Sequence, residues 1–502
     1  MAEQVCVVCH IRPGVKAIGG RVFCDEHYTK ALYKRSGVWR SAAFAVIGLL
    51  VFVALVVALD AVIRPQALTG VALLTTGLLL AIVPAVLWLV FFYQQDRLEP
   101  EPVGEVAKIF VIGLALGGAL GIPLTDQVFH VPDWLYRDTL TTVLGSIFVI
   151  GGVQAFVVYA AVRYFIFSQP EFDERTDGVV YGTAAALGYA TALNLQFILA
   201  SGGAALGPAE IYVAEVALAQ AAFGGLLGYF LGKAKLERDP IWWLPLGLAV
   251  TALLNGLFNL LRGQLDTGAI TKGSAAGLPS IGGLLLAGAL AVIVTIAVSW
   301  LINRDIARSL ANSQNVEADP ARGDRQANYA VMGTFIVLLA LGALAWNNAV
   351  NRTKAFEKGD FKGAYPAQYS EASTQPGEVL HVVDTLGTGV EFAIQTVPLQ
   401  AGQSPEAVAL QLAGDRGTDY AAYKVIETSA AKVEGSKDAL VQRFAYVETT
   451  GLVSTVPQVR EGVDYIVQSG SQAVVITLLA SPDEIGDAEP LFTRFLNSLS
   501  FQ

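Results

Sequence analysis

The stretch GSIFVIGGVQAFVVYAAVRYF, residues 145–165, decides the fold class. It is long and apolar enough to cross a bilayer, which takes about 20 predominantly apolar residues, yet it carries an amide, Gln154, near its middle. A polar side chain in hydrocarbon costs free energy unless it is partnered. At mid-membrane it marks a binding site, a pathway or a helix contact.

Working outward, further apolar runs lie at 42–63, 69–93, 104–124, 177–201, 209–232, 241–262, 281–303 and 327–347, which with 140–167 make nine candidate spans. Pro123 and several glycines interrupt the third. The whole chain of 502 residues is 54% hydrophobic and only 15% charged, with a mean hydropathy of +0.51, too apolar for a soluble protein of this length. The expected fold is a mainly α polytopic membrane protein with a small N-terminal head and a soluble C-terminal α/β domain, an α+β sandwich.

Lys and Arg gather in the N-terminal segment and in the loops after spans 2, 4, 6 and 8. Basic short loops stay cytoplasmic, so the N-terminus is expected in the cytoplasm and, after nine spans, the C-terminal domain outside, in a bacterial cell membrane. The first apolar run follows some 40 polar residues, so it reads as an uncleaved signal anchor. Residues 350–502 hold 19 acidic and 11 basic side chains, most of the chain's net charge of −10. An acidic external domain does not suggest a nucleic-acid partner.

All three cysteines fall in CVVCHIRPGVKAIGGRVFCDEH, residues 6–27. Cys6 and Cys9 form one C-x2-C pair, and Cys24 with His27 a C-x2-H pair. Two such pairs joined by a Pro-Gly and Gly-Gly containing hairpin can converge tetrahedrally on zinc. Four soft ligands close the site, which points to a structural ion. Residues 1–36 are therefore expected to form a cytoplasmic zinc-binding head, fit to engage a cytoplasmic protein, although three incidental thiols would read the same way.

Two loops carry a family resemblance. FFYQQDRLEPEPVGE (91–105) follows span 2, and QPEFDERTDGVVYGTAAALGYATALN (169–194) leads into span 5, while GGLLGYFLG (224–232) closes span 6. These segments and their spacing resemble the PrsW family of bacterial intramembrane glutamic proteases, with CAAX-type membrane proteases as relatives. The resemblance covers roughly 70–265, inside a membrane core expected at 42–303. It implies two adjacent glutamates and a following basic residue in span 4, a Glu-Asn pair in span 5, and one histidine in each of spans 6 and 7. In this sequence those places hold Gln154 and Ala155, Val158, Leu193 and Asn194, Gln220, and Asn255.

A glutamate serves as general base because its pKa can be tuned toward neutrality. Gln and Asn do not titrate; they only donate and accept hydrogen bonds. Loss of a general base alone removes a factor of about 10² to 10⁴ in rate, and here both histidine places are replaced as well. The expectation is a pseudoprotease. At about 1.5 Å per residue, Gln154, Asn194, Gln220 and Asn255 fall at similar depths, so they can form one amide-lined cavity able to bond the backbone of an unwound single-pass client. The same amides can equally bond across helices and hold the bundle together.

Intramembrane acids are functional suspects, here Asp60 and Glu215. Glu215, five residues from Gln220, is turned to another face of its helix. Asp96, Arg97, Glu99 and Glu101 sit at the expected cytoplasmic mouth, where a salt-bridged loop or cap and a substrate gate both fit. The rival functions are an active glutamic-type endopeptidase using displaced acids, a transporter with an amide-lined path, and a structural subunit of a membrane complex.

Residues 304–326 are polar and mixed in charge and read as a flexible cytoplasmic linker. The span at 327–347 carries the rest of the chain across the bilayer. Residues 365–502 then alternate strand-like segments such as VEFAIQTV and AVVITLLAS with helical ones such as SPEAVALQLAGD. Their order is similar to PsbP-like domains, a resemblance that implies partner binding. The segment has no cysteine, a single histidine, His381, and no Ser-His-Asp pattern, so sensing or recognition is expected.

Overall fold

A computed structural model describes residues 5–6, 11–18, 21–32, 47–48, 51–56, 58, 69–93, 101–135, 139–172, 175–200, 206–236, 240–271, 281–312, 324–374, 377–384, 389–399, 403–431, 439–448 and 457–501. Most of the first expected span, with Asp60, lies outside them, as do Cys9, Asp96, Arg97, Glu99 and much of the 304–326 linker. Among the described residues, eight helices are long and apolar enough to cross a membrane, and they coincide with the second to ninth spans read from the sequence.

The head is a β-hairpin, β1 (Lys16–Ile18) against β2 (Arg21–Phe23), followed by α1 (Asp25–Leu32). The membrane helices are α2 (Gly70–Tyr93), α3 (Val103–Leu116), α4 (Gly152–Phe165), α5 (Arg175–Ala200), α6 (Leu206–Leu236), α7 (Trp243–Thr271), α8 (Ile281–Asn312) and α9 (Asp324–Asn351). Two of them are widened. Beyond α3 the chain continues through π-helical turns at Gly117–Gly121 and Leu124–Val128, either side of Pro123, whose missing N–H cannot extend an α-helical ladder. Another π-helical segment, Ser146–Gly151, leads into α4. Such insertions are frequent at functional sites.

The centre of the core is a seam of small residues. A Cβ added at Gly228 of α6 would stand 1.9 Å from the Gly178 carbonyl of α5, and one at Gly182 would stand 2.3 Å from the Gly224 carbonyl. The two backbones are in contact, the packing that a small-x-x-x-small spacing gives when lipid supplies no hydrophobic drive. Gly151 brings the start of α4 equally close to α7, where an added Cβ would stand 2.1 Å from the Ala252 carbonyl. Residues 152–163 of α4 are buried throughout, Gln154 and Arg163 included.

The C-terminal unit is described by itself. Its seven-stranded antiparallel sheet has the order β5 (Tyr369–Glu371), β6 (Glu378–Asp384), β7 (Glu391–Pro398), β11 (Gln472–Ala480), β10 (Gln458–Ser469), β9 (Ala439–Glu448), β8 (Ala421–Ala431). A smaller sheet joins β3 (Thr353–Lys358), β4 (Phe361–Pro366) and β12 (Ser500–Phe501). The strands thus begin at Thr353, ahead of the residue 365 start read from composition. On one face of the large sheet α10 (Pro405–Asp419) buries Val408, Ala409 and Leu412 against Ala473 and Val475. On the other α11 (Ile485–Ser498) buries Phe492, Phe495 and Leu496 among Val474, Ile476 and Leu478. Being covered on both faces, β11 reads as an unbroken apolar run.

Candidate functional site

Gln154 is the hub of the membrane core. Its Oε1 accepts a hydrogen bond from Gln220 Nε2 of α6 at 3.0 Å and a second from Asn255 Nδ2 of α7. The buried Tyr189 hydroxyl of α5 lies near the same amide. Asn255 in turn accepts, on Oδ1, from Asn259 Nδ2 at 3.2 Å. Gln154, Gln220 and Asn255 are each at least 95% buried, so each amide is held by the others where water cannot serve. Three of the four amides expected to converge do so.

Asn194 does not join them. Its Nδ2 donates to the Val213 carbonyl at 3.1 Å, tying α5 to α6 elsewhere along the pair, and its Oδ1 is buried without a partner among the described residues. The neighbouring Leu193 packs on the apolar core. Depth along a span therefore gave the right layer for three residues, while Asn194 is turned toward the backbone of the adjacent helix.

A small space between the helices is lined by Gln154, Ala155, Val158, Gln220, Phe223, Gly224, Thr251 and Asn255, and it leaves no room for a water molecule. Its lining contains no acid, histidine or cysteine. Thr251 Oγ1 is buried there with no hydrogen-bond partner among the described residues. Thr251, Asn255 and Asn259 follow at i, i+4 and i+8 on α7, a stripe that helical spacing makes legible. Tyr189 carries no such signal.

Glu215 is buried, and its Oε1 stands 3.7 Å from Nε of Arg262. A Cβ at Gly283 of α8 would meet its carboxylate at 2.3 Å. Arg262 also lies over the Tyr212 ring, 4.5 Å from its centroid. The acid is thus engaged toward α7 and α8, outside the amide lining. At the start of α3, Glu101 accepts the Tyr181 hydroxyl on Oε2 at 2.5 Å, and its carbonyl accepts from Tyr93 at 2.9 Å. These bonds tie Glu101 to α5 and α2, as an ordinary structural tie would.

In the head, one ligand atom each from Cys6, Cys24 and His27 lies within 4.8 Å of the others. His27 Nδ1 is 3.5 Å from Cys6 Sγ and 3.3 Å from Cys24 Sγ. Both thiols are buried and face the same imidazole nitrogen, Cys24 from the turn between β2 and α1. Two thiols and an imidazole at such separations have the donor chemistry of a closed tetrahedral site lacking one corner. The expected fourth ligand, Cys9, is outside the described residues.

In the C-terminal unit His381 Nε2 bonds Glu391 at 2.9 Å, and Glu391 also accepts from Arg460 at 2.7 Å. His381 Nδ1 faces the Ser373 carbonyl at 3.3 Å, with Glu378 at 4.0 Å. The histidine is thus bound to an acid and a main-chain carbonyl. The hydrogen bond with Glu391 raises its pKa above the ordinary 6.5. The fully buried Asp464 accepts from Arg416 and, at 2.7 Å, from Thr477.

Comparison with known proteins bears out the resemblance read from the motifs. Residues 101–301 match the family model described as PrsW family intramembrane metalloprotease. The chain is 29% identical over 183 residues, 36% of its length and 80% of the relative's, to Protease PrsW of Halalkalibacterium halodurans. It is 28% identical over 192 residues, 37% of its length and 82% of the relative's, to Protease PrsW of Bacillus subtilis. The solution structure of cyanobacterial PsbP (CyanoP) from Synechocystis aligns with 30% of this chain and 92% of its own, at 12% identity and a TM-score of 0.24. The family description implies a metal. In this core the amide cluster offers neutral side chains only and lacks the His, Cys or carboxylate donors that hold catalytic ions, so the lining does not fit one.

Proposed function

We propose that this chain, a membrane protein whose core carries the PrsW pattern, is a pseudoprotease that engages single-pass membrane clients without cutting them. The observation that carries this reading is the pair of amide N–H bonds converging on Gln154 Oε1 from Gln220 and Asn255. The positions where the resemblance implies a glutamate base and two histidines meet in space but share no titratable proton. Peptide hydrolysis needs water to be deprotonated and the leaving amine protonated, and this set does neither. Amides do present donors and acceptors matched to a peptide backbone, and the unpartnered Thr251 hydroxyl adds another.

In this reading the head of Cys6, Cys9, Cys24 and His27 binds a structural zinc ion and presents a cytoplasmic docking surface. The C-terminal domain lies outside the cell membrane and senses or recognises a partner there. The chain then links an external event to a cytoplasmic one through its core.

The test is incubation of the full chain, in liposomes, with labelled single-pass peptides carrying a photoreactive group. The expected result is crosslinking to α4 or α7 with no new peptide fragments, and loss of crosslinking on Gln154→Leu. The contrary reading is an active endopeptidase using a displaced acid. Fragments that appear with the wild-type chain and vanish with Glu215→Gln would establish it and overturn the pseudoprotease.

A further inference from the structure

The helix bearing Gln154 has two occupied faces, and only one belongs to the amide cluster. On the other, residues 149, 152, 156, 159 and 163 form a heptad-spaced stripe, and α9 lies along it in antiparallel register. The Phe335 ring stacks on Phe156 with centroids 3.8 Å apart and planes within 5°. A Cβ at Gly152 would touch Leu338 at 3.5 Å, and one at Gly342 would meet Val149 at 2.5 Å. Toward the other end Asn328 Oδ1 accepts from the Tyr159 hydroxyl at 2.6 Å and from Arg163 Nε at 2.7 Å. The α9 contacts fall at 328, 335, 338 and 342, again heptad spacing, so two matching seams face each other.

This helix lies beyond residues 101–301, where the PrsW pattern ends. Its contacts are specific in a way that a mere tether does not need. A stacked aromatic pair, a glycine notch and an amide that caps a buried arginine are the elements of a recognition seam between membrane helices.

We propose that the outer face of α4 is a docking site for a single transmembrane helix, and that α9 is its resident occupant. The face accepts an antiparallel helix presenting an amide, an aromatic ring, a leucine and a glycine in the order Asn-x6-Phe-x2-Leu-x3-Gly. While α9 is seated, an incoming helix cannot lie along the Gln154 helix from this side. That consequence for clients rests on the function proposed above; the docking does not.

The experiment uses the full chain in nanodiscs with a protease site introduced between Asn312 and Asp324. The probe is a synthetic peptide of residues 324–351 carrying photo-leucine at position 338. After cleavage the wild-type chain should retain its own α9, and the peptide should label α4 only weakly. In a chain carrying Asn328→Ala with Phe335→Ala, labelling near Gly152 should rise about tenfold, the factor expected when a hydrogen bond to a charged group is lost. The wild-type peptide restores the acceptor that Tyr159 and Arg163 have lost, so the core is not left incomplete. Phe335→Ala alone, which keeps that acceptor, should give an intermediate rise. Equal labelling of wild-type and variant chains, or no α4 labelling in the double variant, overturns the proposal. Cleavage of client peptides would refute the pseudoprotease and leave this result unchanged.

Discussion

Replacing Gln154 by leucine tests the hub directly. The substitution removes the acceptor that serves Gln220 and Asn255 while keeping a side chain of similar bulk, so little cavity is opened. Interhelical hydrogen bonds in a membrane bundle are worth about 0.6 kcal/mol on average and up to about 1.7. Two lost bonds therefore amount to roughly 1 to 3 kcal/mol. The stability of the membrane core is to be measured by reversible unfolding in bicelles, for Gln154→Leu, Gln220→Leu and the double variant. Because Gln220 donates to Gln154, the two losses should not add. The double variant should be more stable than the sum of the single losses implies, by more than the about 0.3 to 0.5 kcal/mol within which independent sites add. Strict additivity, or a Gln154→Leu loss under about 0.5 kcal/mol, would mean that the amides do not hold one another and would remove the basis for treating them as one site.

Other consequences are equally measurable. Protein purified without chelator should carry close to one zinc per chain, and Cys24→Ser or His27→Ala should bring this well under half an equivalent, because the lost ligand opens a closed site. In the C-terminal domain His381 has its pKa raised by Glu391. The stability it contributes is full below its unfolded pKa and fades as pH rises through the folded value. The domain's thermal midpoint in the full chain should fall between about pH 6 and pH 8, and His381→Gln should flatten that trend. Asp464→Ala leaves Arg416 without its carboxylate beneath the sheet, and urea unfolding of that domain should show a loss of about 3 to 5 kcal/mol.

Much of this architecture is legible in the chain itself, for reasons that differ by element. Span positions follow from length and hydropathy alone, since only a helix of about 20 residues satisfies its own backbone in lipid. Helical depth also placed Gln154, Gln220 and Asn255 in one layer. It failed for Asn194 because depth says nothing about azimuth: α5 and α6 touch along Gly178, Gly182, Gly224 and Gly228, and that close seam leaves Asn194 opposite the Val213 carbonyl. Tyr189 was hidden because an aromatic in a membrane helix is ordinary. The pairing of Asn328 with Arg163 joins residues 165 apart in sequence, beyond the reach of any local pattern. In the C-terminal domain β3 and β4 begin ahead of the expected start because TKAFEK carries charge and FKGAYP charge and a glycine, and their pairing with each other overrides weak strand propensity.

The amide set has a logic that its parts lack singly. Of the places where the resemblance implies ionisable residues, Ala155, Val158 and Leu193 are apolar, whereas Gln154, Gln220 and Asn255 are amides. A buried amide left without a partner costs about 1 to 3 kcal/mol, whereas here the Gln220 and Asn255 donors both find the Gln154 acceptor. They are interdependent, and that alone accounts for their packing. Client binding asks more of them: the space between them is closed to water, so a peptide backbone reaches Thr251 and Gln154 only if α4 moves away from α7. What restrains α4 on its far side is α9, through Phe335 and Asn328. On the proposed function, access to the cluster therefore requires α9 to yield its hold on α4, and a measurement of one constrains the other.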